Sequence, residues 1–144
     1  MTQEEILEGN KLIAEFMGLR KIMLWGGVDF LYDIEKESYV TYVKVGSSGI
    51  NATINTRVLK ARPDELLFHS SWDWLMPVVE KIESLEHITE QGSYGNYYLT
   101  LFKNYGSICY GRFRIGDVIN GEGRLSVAYK VVIEFIKWHK TQIK

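Results

Sequence analysis

A chain of 144 residues with 46% hydrophobic and 24% charged residues is long enough to bury one sizeable core, and it stands clear of disordered and collagen-like classes. Its 17 basic and 18 acidic residues leave a formal charge of −1, so no whole-molecule field draws in a polyanion and generic nucleic-acid coating is disfavoured. The single cysteine, Cys109, excludes an internal disulfide and suits a reducing compartment, where a small buried apolar side chain is its expected role.

The chain starts MTQEEILEGN, acidic and polar where a signal peptide has a basic start and an apolar run. No window approaches the ~18 apolar residues of a membrane span. A cytoplasmic location and a single domain over residues 1–144 are the expectations. Thr2-Gln3-Glu4-Glu5 reads as a capping box, in which the Thr2 hydroxyl and the Glu5 carboxylate satisfy each other's free backbone donors. Ile6, Ile13, Phe16 and Met17 follow on one helical side, and Gly18 supplies the left-handed residue that ends such a helix.

From Ile22 to Leu59 the period changes to two. Val28, Phe30, Tyr32 and Ile34 alternate with Asp29, Leu31, Asp33 and Glu35, and Ile50, Ala52, Ile54, Thr56 and Val58 alternate with Asn51, Thr53, Asn55 and Arg57. Breaks at Glu35 to Ser38 and at Gly46-Ser47-Ser48-Gly49 suit hairpin turns, which predicts an antiparallel meander. Arg62-Pro63-Asp64 interrupts the ladder and reads as a connection.

A second helix is predicted over HSSWDWLMPVVEKIE, residues 69–83, with Ser70 as cap, Asp73 as its capping-box partner, and Leu75, Val78, Val79, Ile82 and Leu85 as the buried face. Trp72 extends that face and Trp74 falls at its border, where helix–sheet packing is the first reading and an aromatic pocket wall the second. Pro77 inside the helix is expected to kink or loosen the first turn. Asn96 to Lys103, apolar on nearly every position, predicts a central strand covered on both faces. Ser107 to Ile115 predicts its neighbour, Gly116 to Gly123 a glycine-rich loop, and Arg124 to about Lys140 a last helix buried over most of its circumference.

The fold class expected is therefore α+β: a mainly antiparallel sheet flanked by three helices, in the order α-β(3-4)-α-β(2)-α. Three segments, NKLIAEFMG at 10–18, HSSWDWLMPVVEKIE and AYKVVIEFIKWHK at 128–140, together resemble small uncharacterised proteins of phages and prophages of Bacteroidetes-type bacteria, grouped as the phage ABA sandwich domain. The resemblance covers the helices, about a third of the chain, and does not extend to Arg20 to Arg62. It implies an α/β/α sandwich and a phage or prophage origin, so the cytoplasm expected is that of a host bacterial cell; it brings no catalytic residues.

His69, His87 and His139 form no pair at ligand spacing and have no cysteine companions, so no metal or cofactor is expected. Cys109 and the serines carry no nucleophile signature, so catalysis is not expected. Asn120-Gly121-Glu122-Gly123-Arg124 precedes a helix start, where an anion could bind, but Glu122 opposes one and a plain turn is the simpler reading. The polar set of most interest joins Asn51, Thr53, Asn55 and Arg57 on one strand with Tyr110, Arg112 and Arg114 on another, groups that suit a nucleotide-like ligand. The expected function is a non-enzymatic phage or prophage accessory protein that binds a host protein or a small nucleotide signal, in counter-defence. The alternatives are a structural or assembly module acting as a homo-oligomer, favoured by Tyr39 and Tyr42 on a strand face, and a nucleotide-processing enzyme.

Overall fold

The computed structural model describes residues 1–23, 30–45, 49–88, 94–110 and 113–142. In chain order it comprises helix α1 (Gln3–Phe16), strands β1 (Lys21–Met23), β2 (Phe30–Val45) and β3 (Gly49–Ala61), a 3-10 turn (Pro63–Glu65), helix α2 (Trp72–Ser84), strands β4 (Glu86–Ile88), β5 (Tyr94–Leu101), β6 (Tyr105–Tyr110) and β7 (Phe113–Asn120), and helix α3 (Arg124–Gln142). The fold is α+β, with helices flanking antiparallel sheet. Two compact units divide the chain, one formed by Met1–Gly18 with Leu66–Lys144 and the other by Leu19–Glu65.

Leu19–Glu65 holds an antiparallel sheet of order β1-β2-β3. The hairpin expected at Glu35 to Ser38 is absent: β2 runs straight through it, pairing Glu35 with Leu59, Lys36 with Val58, Glu37 with Arg57 and Ser38 with Thr56. A charged run does not end a strand when every backbone group still finds its ladder partner; here it leaves only a register irregularity between Asp33 and Glu35. The expected turn at residues 46–48 lies outside the described residues, with Val45 and Gly49 paired on either side of it. Pro63 initiates the 3-10 turn, and Arg62 pairs with Glu65 through Nε at 2.9 Å.

In the larger unit the second run of strands is longer than β(2): β4-β5-β6-β7 form a four-stranded antiparallel sheet. Residues 116–120, expected as loop, continue β7. Gly116 at φ 72° and a shift in register, with Gly106 opposite Ile119 but Ile108 opposite Ile115, let the strand absorb extra residues and resume pairing. β4 stops after pairing Glu86 with Asn96, and beyond it the Leu99 N–H on the outer side of β5 donates to Glu83 of α2 at 3.1 Å. That bond satisfies an edge donor and docks the helix on the strand.

α1 begins with the predicted capping box: the Thr2 amide donates to Glu5 at 2.7 Å and the Glu5 amide to the Thr2 hydroxyl at 3.2 Å, which holds the Glu5 carboxyl below its ordinary value. The cap of α2 differs from expectation. Ser70 and Ser71 amides both bond to Leu67 O, so the turn leaves Ser70 outside and makes Ser71 the N-cap, without a side-chain bond. α2 is continuous through Pro77; residues 73 and 77 are exposed, so water can serve the Asp73 carbonyl that proline leaves without its donor.

The core lies between α3 and its neighbours. Val127, Ala128, Tyr129, Val132 and Ile136 of α3 are buried, with Ile13 and Ala14 of α1 and Leu75, Val78, Val79 and Ile82 of α2. The α1–α3 approach requires a glycine: a Cβ at Gly9 would fall 2.3 Å from Tyr129 Oη and 2.4 Å from Ile133 Cδ1. Tyr129 Oη is held by its contacts with Ile6 O and Asn10 Oδ1, so it cannot swing clear without losing them. Gly9→Ala should therefore destabilise by about 1–3 kcal/mol in a urea melt, although alanine is the better helix former by about 1 kcal/mol. An unchanged or raised midpoint would show that the two helices separate freely.

Candidate functional site

Alternation along β5 creates two unlike faces. Tyr97 turns its ring onto α3, with centroids 5.0 Å from Phe135 and 5.9 Å from Trp138. Ile108 and Ile115, paired across β6 and β7, take the same side. The even positions of β5 take the other side, where Tyr98 is 41% exposed, so the strand is not covered on both faces as expected.

The register builds that second face. Tyr98 lies opposite Cys109, Cys109 opposite Arg114, and Thr100 opposite Ser107. Directly opposed residues of an antiparallel pair share a face. At the end of the hairpin the Phe102 amide donates to Tyr105 O at 2.8 Å, and the two rings stack at 4.5 Å with 16° between planes while remaining 47% and 44% exposed. Two aromatic platforms thus stand about 13 Å apart along the strand. Between them the Thr100 hydroxyl donates to Cys109 Sγ at 3.8 Å, and Ser107 Oγ lies 3.6 Å from the same sulfur. Tyr98's phenol is pushed above its ordinary value by desolvation and by neighbouring Cys109. Arg114 donates through Nε to Gly116 O at 3.2 Å, a bond that fixes the guanidinium plane at the β7 irregularity and uses neither terminal amino group.

Of the residues singled out from sequence, the structure gathers few. Asn55 and Arg57 belong to β3, in a different sheet from β6 and β7, as do Asn51 and Thr53. Tyr110 does not share a face with Arg114: it pairs with Phe113, and its ring meets Tyr97 at 6.4 Å on the α3 side. Two residues separate Tyr110 from Phe113, and that reversal makes even positions on β6 face with odd positions on β7. Arg112 lies outside the described residues. Arg124 is the exposed first residue of α3, and the loop before it is occupied by its own contacts, with the Gly121 amide bonded to Asn104 O at 3.0 Å and the Gly123 amide to Asn104 Oδ1 at 3.4 Å. Trp72 is exposed at the start of α2, while Trp74 packs edge-to-face on Phe68 at 5.3 Å.

Sequence reasoning missed Tyr98, Phe102 and Tyr105. Their signal is the small and polar set Thr100, Ser107 and Cys109, which marks one face of a strand pair whose other face is uniformly apolar.

Two hollows lie elsewhere in this unit. A groove of about 610 Å³ between α1 and α3 is rimmed by Glu4, Glu8, Lys130, Glu134 and Lys137, but Glu8 pairs with Lys11 at 2.9 Å and Glu134 with Lys137 at 3.1 Å. A crevice of about 240 Å³ between β7 and α3 is walled by Ile115, Ile119, Phe135 and Trp138. His139 stacks on Phe135 at 5.5 Å, and burial lowers its pKa. Among the described residues no three His, Cys, Asp or Glu side chains stand together to hold a metal, and no helix is long and apolar enough to cross a membrane. Comparison with family models, curated proteins and solved structures found no match to this chain.

Proposed function

We propose that the protein is a non-enzymatic accessory protein, of phage or prophage type, that binds a small nucleotide on the outer face of the four-stranded sheet. The reading rests on one observation: exposed Tyr98, Phe102 and Tyr105 share a sheet face with Arg114, two strands across from Tyr98. An exposed aromatic ring offers any base a stacking surface, and a guanidinium forks onto phosphate oxygens. The half-buried Thr100 hydroxyl lies between the platforms, where a ribose would bond; Ser107 is buried against Cys109. The phage setting comes from the resemblance of the helical segments; capture of a host signal nucleotide would serve counter-defence without any catalytic group.

A thermal-shift and calorimetric screen against linear, cyclic and cyclic-dinucleotide ligands tests this. A ligand at 100 times its Kd should stabilise the native state by about 2.7 kcal/mol. Tyr98→Ala should weaken binding by about 1–3 kcal/mol, roughly 5- to 150-fold in Kd, and Arg114→Glu should abolish it. No shift with any nucleotide at millimolar concentration would end the proposal; binding untouched by both substitutions would move the site elsewhere.

A further inference from the structure

The crevice between β7 and α3 has a cause in the strand register. From the Gly106–Ile119 pair to the Ile108–Ile115 pair, β6 advances two residues while β7 advances four. The surplus cannot lie flat in the ladder, so β7 must bow, and it does so at Gly116, whose φ of 72° an L side chain rarely adopts. A hollow of about 240 Å³ stands between this irregularity and α3.

Its lining is unlike that of a packing defect. Ile115 and Ile119 of β7 wall it together with buried Phe135 and half-buried Trp138 of α3, whose rings stand 5.8 Å apart. Every charged side chain that lines it is acidic: Asp117 comes from β7 and Glu134 from α3, both exposed, with no lysine, arginine or histidine beside them in the wall. Asp117 has no hydrogen-bond or ion-pair partner among the described residues. Glu134 pairs with Lys137 at 3.1 Å, but both side chains are more than half exposed, and a pair so placed in water yields readily to another cation. An apolar interior thus lies under carboxylates drawn from two different elements.

We infer that this crevice binds a small free amine with an aromatic body, the ring seated against Ile115, Ile119 and Phe135 and the ammonium held at Asp117 and Glu134. Size sets the body. An apolar cavity of about 150 Å³ takes up benzene, so about 240 Å³ leaves room for one ring and a short alkyl chain. Charge sets the head group. A carboxylate at the end of that chain would meet two like charges and an alcohol would gain no attraction, whereas an ammonium gains from both acids and from the aromatic ring of Trp138. The crevice lies on the α3 side of the sheet, so the inference does not depend on the nucleotide reading of the Tyr98 face.

Titration of phenethylamine, phenethyl alcohol and hydrocinnamate into the isotope-labelled full chain at neutral pH, followed by NMR, tests it. The amine should bind about 4- to 25-fold more tightly than the alcohol, since each exposed carboxylate contributes about 2- to 5-fold, and hydrocinnamate should not bind. Shifts should centre on the Trp138 indole N–H and the Ile115 and Ile119 methyl groups. Asp117→Asn and Glu134→Gln alter exposed side chains and leave the core intact; each should weaken the amine by about 2- to 5-fold and leave the alcohol unchanged. No binding of the amine up to tens of millimolar, or shifts centred away from Trp138, overturns the site. Equal affinity for amine and alcohol, or an amine indifferent to both substitutions, overturns the ligand class.

Discussion

Tyr97→Ala should lower the unfolding free energy by about 3–5 kcal/mol, the range for truncating a buried aromatic side chain. Tyr97 is 4% exposed and touches three other rings: Phe135 at 5.0 Å, Trp138 at 5.9 Å and Tyr110 at 6.4 Å. It is therefore the point where β5, β6 and α3 meet. Removing the ring takes partners from all three at once, and two tethered elements cannot both move in to refill the space. Tyr97→Phe retains the ring contacts and should cost no more than about 1.5 kcal/mol. Urea titration followed by tryptophan fluorescence measures both, with Trp138 reporting from beside the substituted position. A loss under 1 kcal/mol for the alanine variant would mean that α3 and the sheet do not depend on this seam.

Tyr97 also marks what the sequence makes legible. The three helices could be read from capping and 3.6-residue periodicity, because those signals are local and the buried faces of α2 and α3 are wide. The strand regions were legible in part: Ser107 to Ile115, read as one strand, is divided between β6 and β7, and β4 was not foreseen. Strand ends were not: Glu35 to Ser38 looks like a turn by composition, yet its backbone is satisfied by β3, a partner many residues away. Gly116 looks like loop, yet its positive φ serves an irregularity inside a strand. In both cases a long-range ladder overrides a local preference.

The candidate site was less legible, because it depends on register. One residue decides the face: Tyr110 and Arg114 appear together by parity along the chain, but the reversal between β6 and β7 sets Arg114 opposite Cys109 and sends Tyr110 to α3. The exposed face of β5 was hidden for a different reason. Tyr98 and Phe102 are aromatic, and an aromatic residue in a strand reads as core until its opposite neighbours are known. Those neighbours, Cys109 and Ser107, become visible only through the pairing.

Asn10→Ala should cost about 2–4 kcal/mol, the largest loss expected from a polar side chain here, and it should not add to the loss from Tyr129→Phe. Asn10 is 1% exposed on α1 and holds three segments. Its Nδ2 donates to Leu66 O at 2.9 Å and lies 3.3 Å from His69 Nδ1, while its Oδ1 lies 3.1 Å from Tyr129 Oη, which also reaches Ile6 O at 2.9 Å. The amide has two hydrogens, enough for Leu66 O and His69 Nδ1, an arrangement that requires the imidazole proton on Nε2. The phenol has one hydrogen for two acceptors, so it is already fully used; burial pushes its pKa far above the ordinary tyrosine value. Alanine at position 10 leaves Leu66 O and part of the phenol's bonding unmet where water does not reach, and each such group costs about 1–3 kcal/mol. Tyr129→Phe removes the phenol from the same network, so part of its cost has been spent once Asn10 is gone. A double-mutant cycle should give a coupling of about 0.5–3 kcal/mol, and additivity within about 0.5 kcal/mol would break the claim that one network fastens the chain at Leu66 to α1 and α3.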